Sequence, residues 1–203
     1  MEGGIGLLAV LLSGRGSNFL AIHDAVERGE IPARIVAVIS NRKGAAGIER
    51  ARQLGLPAFV FDHDDYPSRQ AHEEAVMGVL AETGAELVVL AGYMRRLSST
   101  FVSRYRHRIV NIHPSLLPAF PGLDAQTQAL AYGVRVSGCT VHLVDEEVDG
   151  GPVVVQRVVE VVEDDTAETL AARILEEEHQ AYVEALRKLC GGYRVEGRKV
   201  VFG

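Results

Sequence analysis

The chain has 203 residues, a formal net charge of −6 and 47% hydrophobic residues. This composition supports one domain with a substantial core and excludes a disordered chain. No apolar run reaches the ~20 residues of a membrane helix, so we expect a cytoplasmic protein without a membrane partner. The acidic balance argues against a nucleic-acid partner. Cys139 and Cys190 lack metal-ligand spacing, so we expect reduced thiols and no metal.

Buried strands alternate with amphipathic helices along the chain, which predicts an α/β fold. The predicted strands are 5–12, 34–39, 58–61, 87–91, 109–113, 140–144 and 153–161, with two short strands within 193–202. The predicted helices are 19–26, 48–54, 69–81, 101–105, 125–132 and 167–189. The turn at Asp149-Gly150-Gly151 predicts a partly antiparallel hairpin. The sum is an open, mostly parallel, doubly wound sheet with helices on both faces, whose ligands bind after Leu12, Ala91 and Ile112.

The first strand ends in a glycine-rich turn, Ser13-Gly14-Arg15-Gly16-Ser17-Asn18. Such a turn brings backbone N–H groups to the positive end of a helix, which favours a phosphate. Ser17 and Asn18 are expected to cap the helix and to touch the ligand. Phe19 stands at the third glycine position of a dinucleotide fingerprint, which disfavours NAD. Glycines that only tighten the turn are the alternative interpretation.

Asn111 and His113 lie two residues apart at the end of a predicted strand, so their side chains share one face. An amide donor beside a titratable imidazole suits a reaction that develops an oxyanion and moves a proton. Asp149 is a candidate partner that would fix the imidazole tautomer. A purely structural histidine is the alternative. We expect His142 to be a satisfied interior residue and most other histidines to lie at the surface.

Five segments in chain order resemble one known family. They are LSGRGSN (12–18), ISN (39–41), LAGYMR (90–95), NIHPSLLP (111–118) and DGGP (149–152). Together they are similar to the phosphoribosylglycinamide formyltransferases, folate-dependent enzymes of purine biosynthesis with a Rossmann-like fold. The resemblance implies a single domain over residues 1–203. Its N-terminal half would bind the nucleotide phosphate, and its C-terminal half would bind folate and carry the catalysis.

The resemblance also implies the reaction, which is formyl transfer from 10-formyltetrahydrofolate to the amine of glycinamide ribonucleotide. It implies catalytic roles for Asn111, His113 and Asp149. The residues implied to bind the ribonucleotide are Gly16, Ser17, Asn18 and Glu178. Those implied to bind folate are Arg69, Met94, Arg95, Arg96, Leu97, Asn111, Asp145, Glu146, Glu147, Val148 and Asp149. Only small-molecule partners are expected, in a monomer or a homodimer.

Some observations limit the resemblance. Asp124 and Gln126 stand where related enzymes often carry histidine. Without the resemblance, Glu178 fits a solvated helix face and Arg69 a surface charge. Methionyl-tRNA formyltransferase and formyltetrahydrofolate hydrolase share this core. The first normally adds a C-terminal domain, for which the end at Gly203 is expected to leave no room. The second normally adds an N-terminal domain, for which Met1 to Gly4 are expected to leave no room. A non-catalytic nucleotide- or folate-binding protein is the alternative from another class.

Overall fold

The computed structural model describes residues 4–203, so the expectation about the Met1 to Gly4 end lies mostly outside the described residues. The strands are β1 (Leu7–Leu12), β2 (Arg34–Ser40), β3 (Ala58–Val60), β4 (Leu87–Leu90), β5 (Ile109–His113), β6 (Val136–Leu143), β7 (Val153–Glu160), β8 (Tyr193–Glu196) and β9 (Lys199–Phe202). The helices are α1 (Ser17–Glu27), α2 (Ala46–Gln53), α3 (Arg69–Glu82), α4 (Ser99–Arg104), α5 (Ala125–Tyr132) and α6 (Ala167–Cys190), with one 3-10 turn at His63–Asp65. None of the described helices is long and apolar enough to cross a membrane.

The nine strands of the described residues form one sheet in the order β3-β2-β1-β4-β5-β6-β7-β9-β8. The strands from β3 to β5 pair in parallel, whereas β6 runs antiparallel to both β5 and β7. The predicted α/β class and the hairpin between β6 and β7 are therefore confirmed. The two short strands at the end of the chain extend the same sheet through a single pairing of β9 with β7.

The side chains of β1 alternate between two apolar cores, one on each face of the sheet. Leu8, Val10 and Leu12 belong to a core that includes residues of α1 and α6. Ala9 and Leu11 belong to the other core, which includes residues of α3 and α4. A strand buried on both faces has to be a continuous apolar run, which is why this strand was predictable from the sequence.

The strand order reverses between β1 and β4, which places their carboxyl ends side by side with that of β5. This is the edge at which ligands bind in doubly wound sheets. Helix α6 packs on this region, and the fully buried Tyr182 donates its hydroxyl to the Leu90 carbonyl at 2.5 Å. Two other side chains, His23 and His72, are buried as well, so these two are exceptions to the expectation that most histidines other than His142 lie at the surface.

The hydroxyl of Tyr182 ties α6 to β4, and we expect its removal to destabilise the fold. Tyr182→Phe removes this buried hydrogen bond to the Leu90 carbonyl, which costs about 0.5–1.5 kcal/mol of unfolding free energy. Urea unfolding followed by circular dichroism measures this loss. The matched control is Tyr132→Phe, because Tyr132 is 80% exposed and its hydroxyl should contribute less than about 0.5 kcal/mol. Equal stability of the two variants would contradict the assignment.

Candidate active site

His113 is the last residue of β5, and both of its ring nitrogens have partners. Nε2 lies 2.8 Å from the Phe120 carbonyl, and Nδ1 lies 3.3 Å from Asp149 Oδ2. A carbonyl only accepts hydrogen bonds, so Nε2 carries a proton and Nδ1 is the nitrogen that can exchange one beside the carboxylate. The side chain is 7% exposed, which strengthens its electrostatic interaction with Asp149.

Asp149 is held in place by its own backbone and by the loop after β5. Its φ is +53°, which is uncommon for a residue other than glycine. The backbone N–H of Gly122 donates to Asp149 Oδ2 at 2.8 Å. Because Pro114 ends β5, the chain from 114 to 122 forms an irregular loop that returns over His113. The carboxylate therefore joins this loop to the imidazole.

Asn111 faces His142, which is its partner across the antiparallel pair of β5 and β6. Asn111 Nδ2 lies 3.4 Å from His142 Nε2, and His142 Nδ1 lies 3.1 Å from the Leu143 carbonyl. Burial lowers the pKa of His142, so its neutral form donates from Nδ1 and accepts at Nε2. His142 is buried as predicted, but it also lies 3.7 Å from Asp149 Oδ1 and belongs to the site.

The first turn of α1 is open, which corrects the predicted capping by Ser17 and Asn18. Gly16 occupies the N-cap position with φ +77°, and this helix has no side-chain cap among the described residues. A side chain is excluded at Gly16, because a Cβ there would lie 2.9 Å from Gly47 Cα. The N–H groups of the first turn therefore lack a side-chain acceptor, and the phosphate site expected at this turn stays a prediction.

Glu178 of α6 reaches the same turn. Asn18 Nδ2 donates to Glu178 Oε2 at 2.9 Å, across 160 residues of sequence. Burial raises the pKa of Glu178, and the hydrogen bond from Asn18 partly opposes this. Asn18 Oδ1 is buried and has no partner within residues 4–203. The predicted ribonucleotide residues thus meet at one place, with an unused acceptor and a carboxylate beside an open helix end.

Apart from Arg69 on α3 and Asn111 on β5, the predicted folate residues lie on two loops, 94–97 and 145–149. Met94 is 70% exposed, and Val148 is 48% exposed. Arg69 donates to Glu73 at 3.1 Å and to the Arg96 carbonyl, so its guanidinium supports the loop that follows β4. Two pairs within the predicted set are joined by hydrogen bonds. Arg69 donates to the Arg96 carbonyl, and the Glu147 backbone N–H donates to Asp145. Arg95, Leu97 and Glu146 lie on these loops.

The arrangement has the parts of a site for acyl-type transfer: an amide donor, an imidazole with a carboxylate, and an open helix end for an anion. Within the described chain, the group able to gather around a metal is Asp62, His63 and Asp64, which shares no residue with this site. The fold and the site together define an α/β transferase.

Comparison with known proteins gives the family. The profile described as formyl transferase matches residues 7–186, and the chain belongs to this family. The crystal structure of glycinamide ribonucleotide transformylase 1 from Symbiobacterium toebii is 49% identical with a TM-score of 0.95, covering 99% of this chain and 95% of that one. Phosphoribosylglycinamide formyltransferase of Bacillus subtilis is 43% identical over 183 residues, 90% of this chain and 94% of that protein.

Longer relatives contain a similar segment. The trifunctional purine biosynthetic protein adenosine-3 of Drosophila pseudoobscura pseudoobscura is 48% identical over 187 residues. That match covers 91% of this chain but only 14% of the fly protein. The chain therefore spans a small part of such relatives.

Sequence reasoning missed two supports of the site, His142 and the Phe120 carbonyl. Strand alternation places His142 on the same face as Thr140, but only the pairing of β5 with β6 brings it opposite Asn111. Phe120 contributes a backbone atom at φ +52°, for which its side chain gives no signal. The signal for His142 was present in the sequence as a histidine within an apolar strand.

The raised pKa of Glu178 predicts a pH-dependent stability. An unperturbed Glu carboxyl has a pKa of 4.5, so the unfolded chain loses this proton near that pH and the folded chain loses it at a higher pH. Above pH 4.5 the folded state binds more protons than the unfolded state, and the contribution of Glu178 to stability falls as pH rises. We expect Glu178→Gln to gain stability over the wild type as pH increases from 4.5. Urea unfolding across this range measures the difference. Glu176→Gln is the control, since Glu176 is exposed on the same helix. A stability difference between Glu178→Gln and the wild type that stays constant with pH would contradict the prediction.

His142 should act through Asn111. His142→Leu removes the acceptor at Nε2, which leaves the Asn111 amide without its orienting partner. We expect kcat to fall about tenfold, with little change in the KM for either of the two expected substrates, because the lost orientation of Asn111 matters most in the transition state. Steady-state kinetics test this. His72→Leu is the control, since His72 is also buried but bonds to Phe61, and an unchanged kcat in His142→Leu would refute the role.

Proposed function

We propose that the chain transfers the formyl group of 10-formyltetrahydrofolate to the amine of N1-(5-phospho-β-D-ribosyl)glycinamide. The products are the N2-formyl compound and tetrahydrofolate, within purine biosynthesis. The observation that carries the proposal is the contact of His113 with Asp149 at 3.3 Å beside Asn111. The names of the two full-length relatives support the same reaction.

The ribonucleotide is assigned to the open end of α1. Its phosphate would accept from the backbone N–H groups that follow Gly16, where the helix dipole favours negative charge. Ser17 would add its hydroxyl, and Asn18 Oδ1 would gain the partner it lacks. Glu178 would then accept from the amino group of the substrate, and this contact would orient the nitrogen that attacks.

The formyl donor is assigned to the exposed loops after β4 and β6. Met94 and Leu97 would flank the flat pterin, and the backbone of residues 145–149 would bond to its polar edge. Arg69, Arg95 and Arg96 supply positive charge for the carboxylates of the donor. Since Arg69 and Met94 lie in the N-terminal half, the donor site in this proposal takes residues from both halves of one domain.

The chemistry follows from the two groups at the end of β5. The neutral amine attacks the formyl carbon, and the carbonyl oxygen becomes an oxyanion. Asn111 Nδ2 and the protonated Nδ1 of His113 donate to this oxygen, while Asp149 stabilises the imidazolium. The bond from the carbon to N10 of the folate then breaks, and the proton lost by the amine passes to N10. No metal is required for these steps.

The surroundings of the enzyme are part of the proposal. We place it in the cytoplasm with small molecules as its partners, as a monomer or a homodimer. The net charge of −6 suits small anions that are held locally better than nucleic acid.

The proposal is tested by following donor consumption by absorbance with and without the ribonucleotide. We expect consumption only when the amine substrate is present. Asn111→Ala and His113→Ala should each lower kcat by about 10²–10³, the usual cost of one lost oxyanion donor, while the circular dichroism spectrum stays unchanged. His107→Asn is the control, because Asn tolerates the φ of +59° at this residue.

Other outcomes would replace the assignment. Consumption of the donor without the amine would identify a hydrolase, with water as the acceptor. Activity on formyl-accepting methionyl-tRNA alone would identify the tRNA enzyme, and binding without turnover would identify a non-catalytic protein. Wild-type turnover in both alanine variants would remove Asn111 and His113 from the mechanism.

A further inference from the structure

Ser13 lies at the carboxyl end of β1 and joins three loops. Its hydroxyl donates to Asn41 Oδ1 at 2.5 Å and accepts from the Met94 backbone N–H at 2.8 Å. Its own backbone N–H donates to the Gly92 carbonyl at 3.0 Å. Ser13 is 8% exposed and Asn41 is 1% exposed, so these bonds are shielded from water.

The segment that Ser13 contacts, residues 92–98, is called the donor loop here. It has no regular secondary structure, so its shape depends on contacts with other segments. Its far end is fixed by Glu73, which is 5% exposed and accepts from the backbone N–H of Ser98 at 2.9 Å. Its near end is fixed by Ser13. Between these two points, the side chain of Met94 is open to solvent.

Asn41 extends the same network across the sheet. Its backbone carbonyl oxygen lies 2.9 Å from Nδ1 of His63, which belongs to the 3-10 turn that follows β3. The loops after β1, β2, β3 and β4 are thus connected through Ser13 and Asn41. Ser13 also begins the glycine-rich turn that leads to Gly16, so one residue borders both proposed substrate sites.

We propose that Ser13 is a positioning residue that sets the backbone of the donor loop at Met94 and thereby the affinity for the formyl donor. The inference rests on the proposed function. A hydroxyl at this place donates to Asn41 and accepts from the Met94 N–H at the same time, which an apolar side chain such as alanine cannot do. The ribonucleotide depends on N–H groups that begin after Gly16, so its binding should change less.

The test separates the two substrates in steady-state kinetics. Ser13→Ala should raise the KM for 10-formyltetrahydrofolate by about tenfold, while kcat and the KM for the ribonucleotide change less than about twofold. Ser13→Thr retains the hydroxyl and should restore most of the donor affinity. Asn41→Ala should raise the same KM, and the double variant should be no worse than Ser13→Ala if the two act as one unit.

A matched control and a structural readout accompany the kinetics. Ser137 is 2% exposed, and its hydroxyl has no partner among residues 4–203, so Ser137→Ala removes a buried hydroxyl without breaking a bond and should leave all constants unchanged. Amide hydrogen exchange should show that Met94 loses protection in Ser13→Ala and not in Ser137→Ala. An unchanged donor KM in Ser13→Ala, or an equal loss for both substrates, would overturn the positioning role.

Failure of the proposed function would be visible separately, as absence of amine-dependent turnover in the wild type. In that case the role of Ser13 is decided by calorimetric binding of tetrahydrofolate together with exchange at Met94. Weaker binding by Ser13→Ala alone would support the inference. Equal binding by Ser13→Ala and Ser137→Ala would overturn it.

Discussion

Parallel strands bring their carboxyl ends to one edge of a sheet, and here β1, β2, β4 and β5 all leave that edge as irregular loops. Each loop carries backbone polar groups that the sheet no longer pairs, so they need partners from side chains, other loops or ligands. Ser13, Asn41 and Asp149 supply partners between loops. The same convergence gathers the imidazole, the amide and the open helix end, so the packing of the loops and the chemistry depend on one geometry.

Backbone strain in this region is concentrated around His113. The residues that hold its two nitrogens, Phe120 and Asp149, both have positive φ, at +52° and +53°. Such conformations cost free energy in residues other than glycine and persist where the surroundings fix them. The hydrogen bond from Gly122 to Asp149 is one such constraint. The two loops that carry Phe120 and Asp149 hold the imidazole of His113 in one orientation, with Nδ1 beside the carboxylate before any substrate binds.

The sequence predicted most elements because strong signals border them. Strand β5 has the predicted bounds, 109–113, since Pro114 ends it. Strand β6 begins four residues earlier than predicted and includes Gly138, where a Cβ would lie 1.9 Å from the Arg157 carbonyl oxygen. The contact of His142 with Asn111 depends on which strands pair and in which register, and one sequence does not determine this.

The net charge of −6 has to be reconciled with the two anionic substrates proposed above. Helices α3, α4 and α6 have side-chain caps. Of the described helices that lack one, α2 has Glu49 in its first turn and α5 begins after Asp124, whereas α1 has no acidic residue at its start. The dipole of α1 is therefore free to favour the phosphate of the proposed ribonucleotide. Asn18, in that turn, bonds to Glu178, so the anion site and the carboxylate are fixed relative to each other. A ligand with a phosphate at one end and an amine at the other matches this pair of charges in only one orientation.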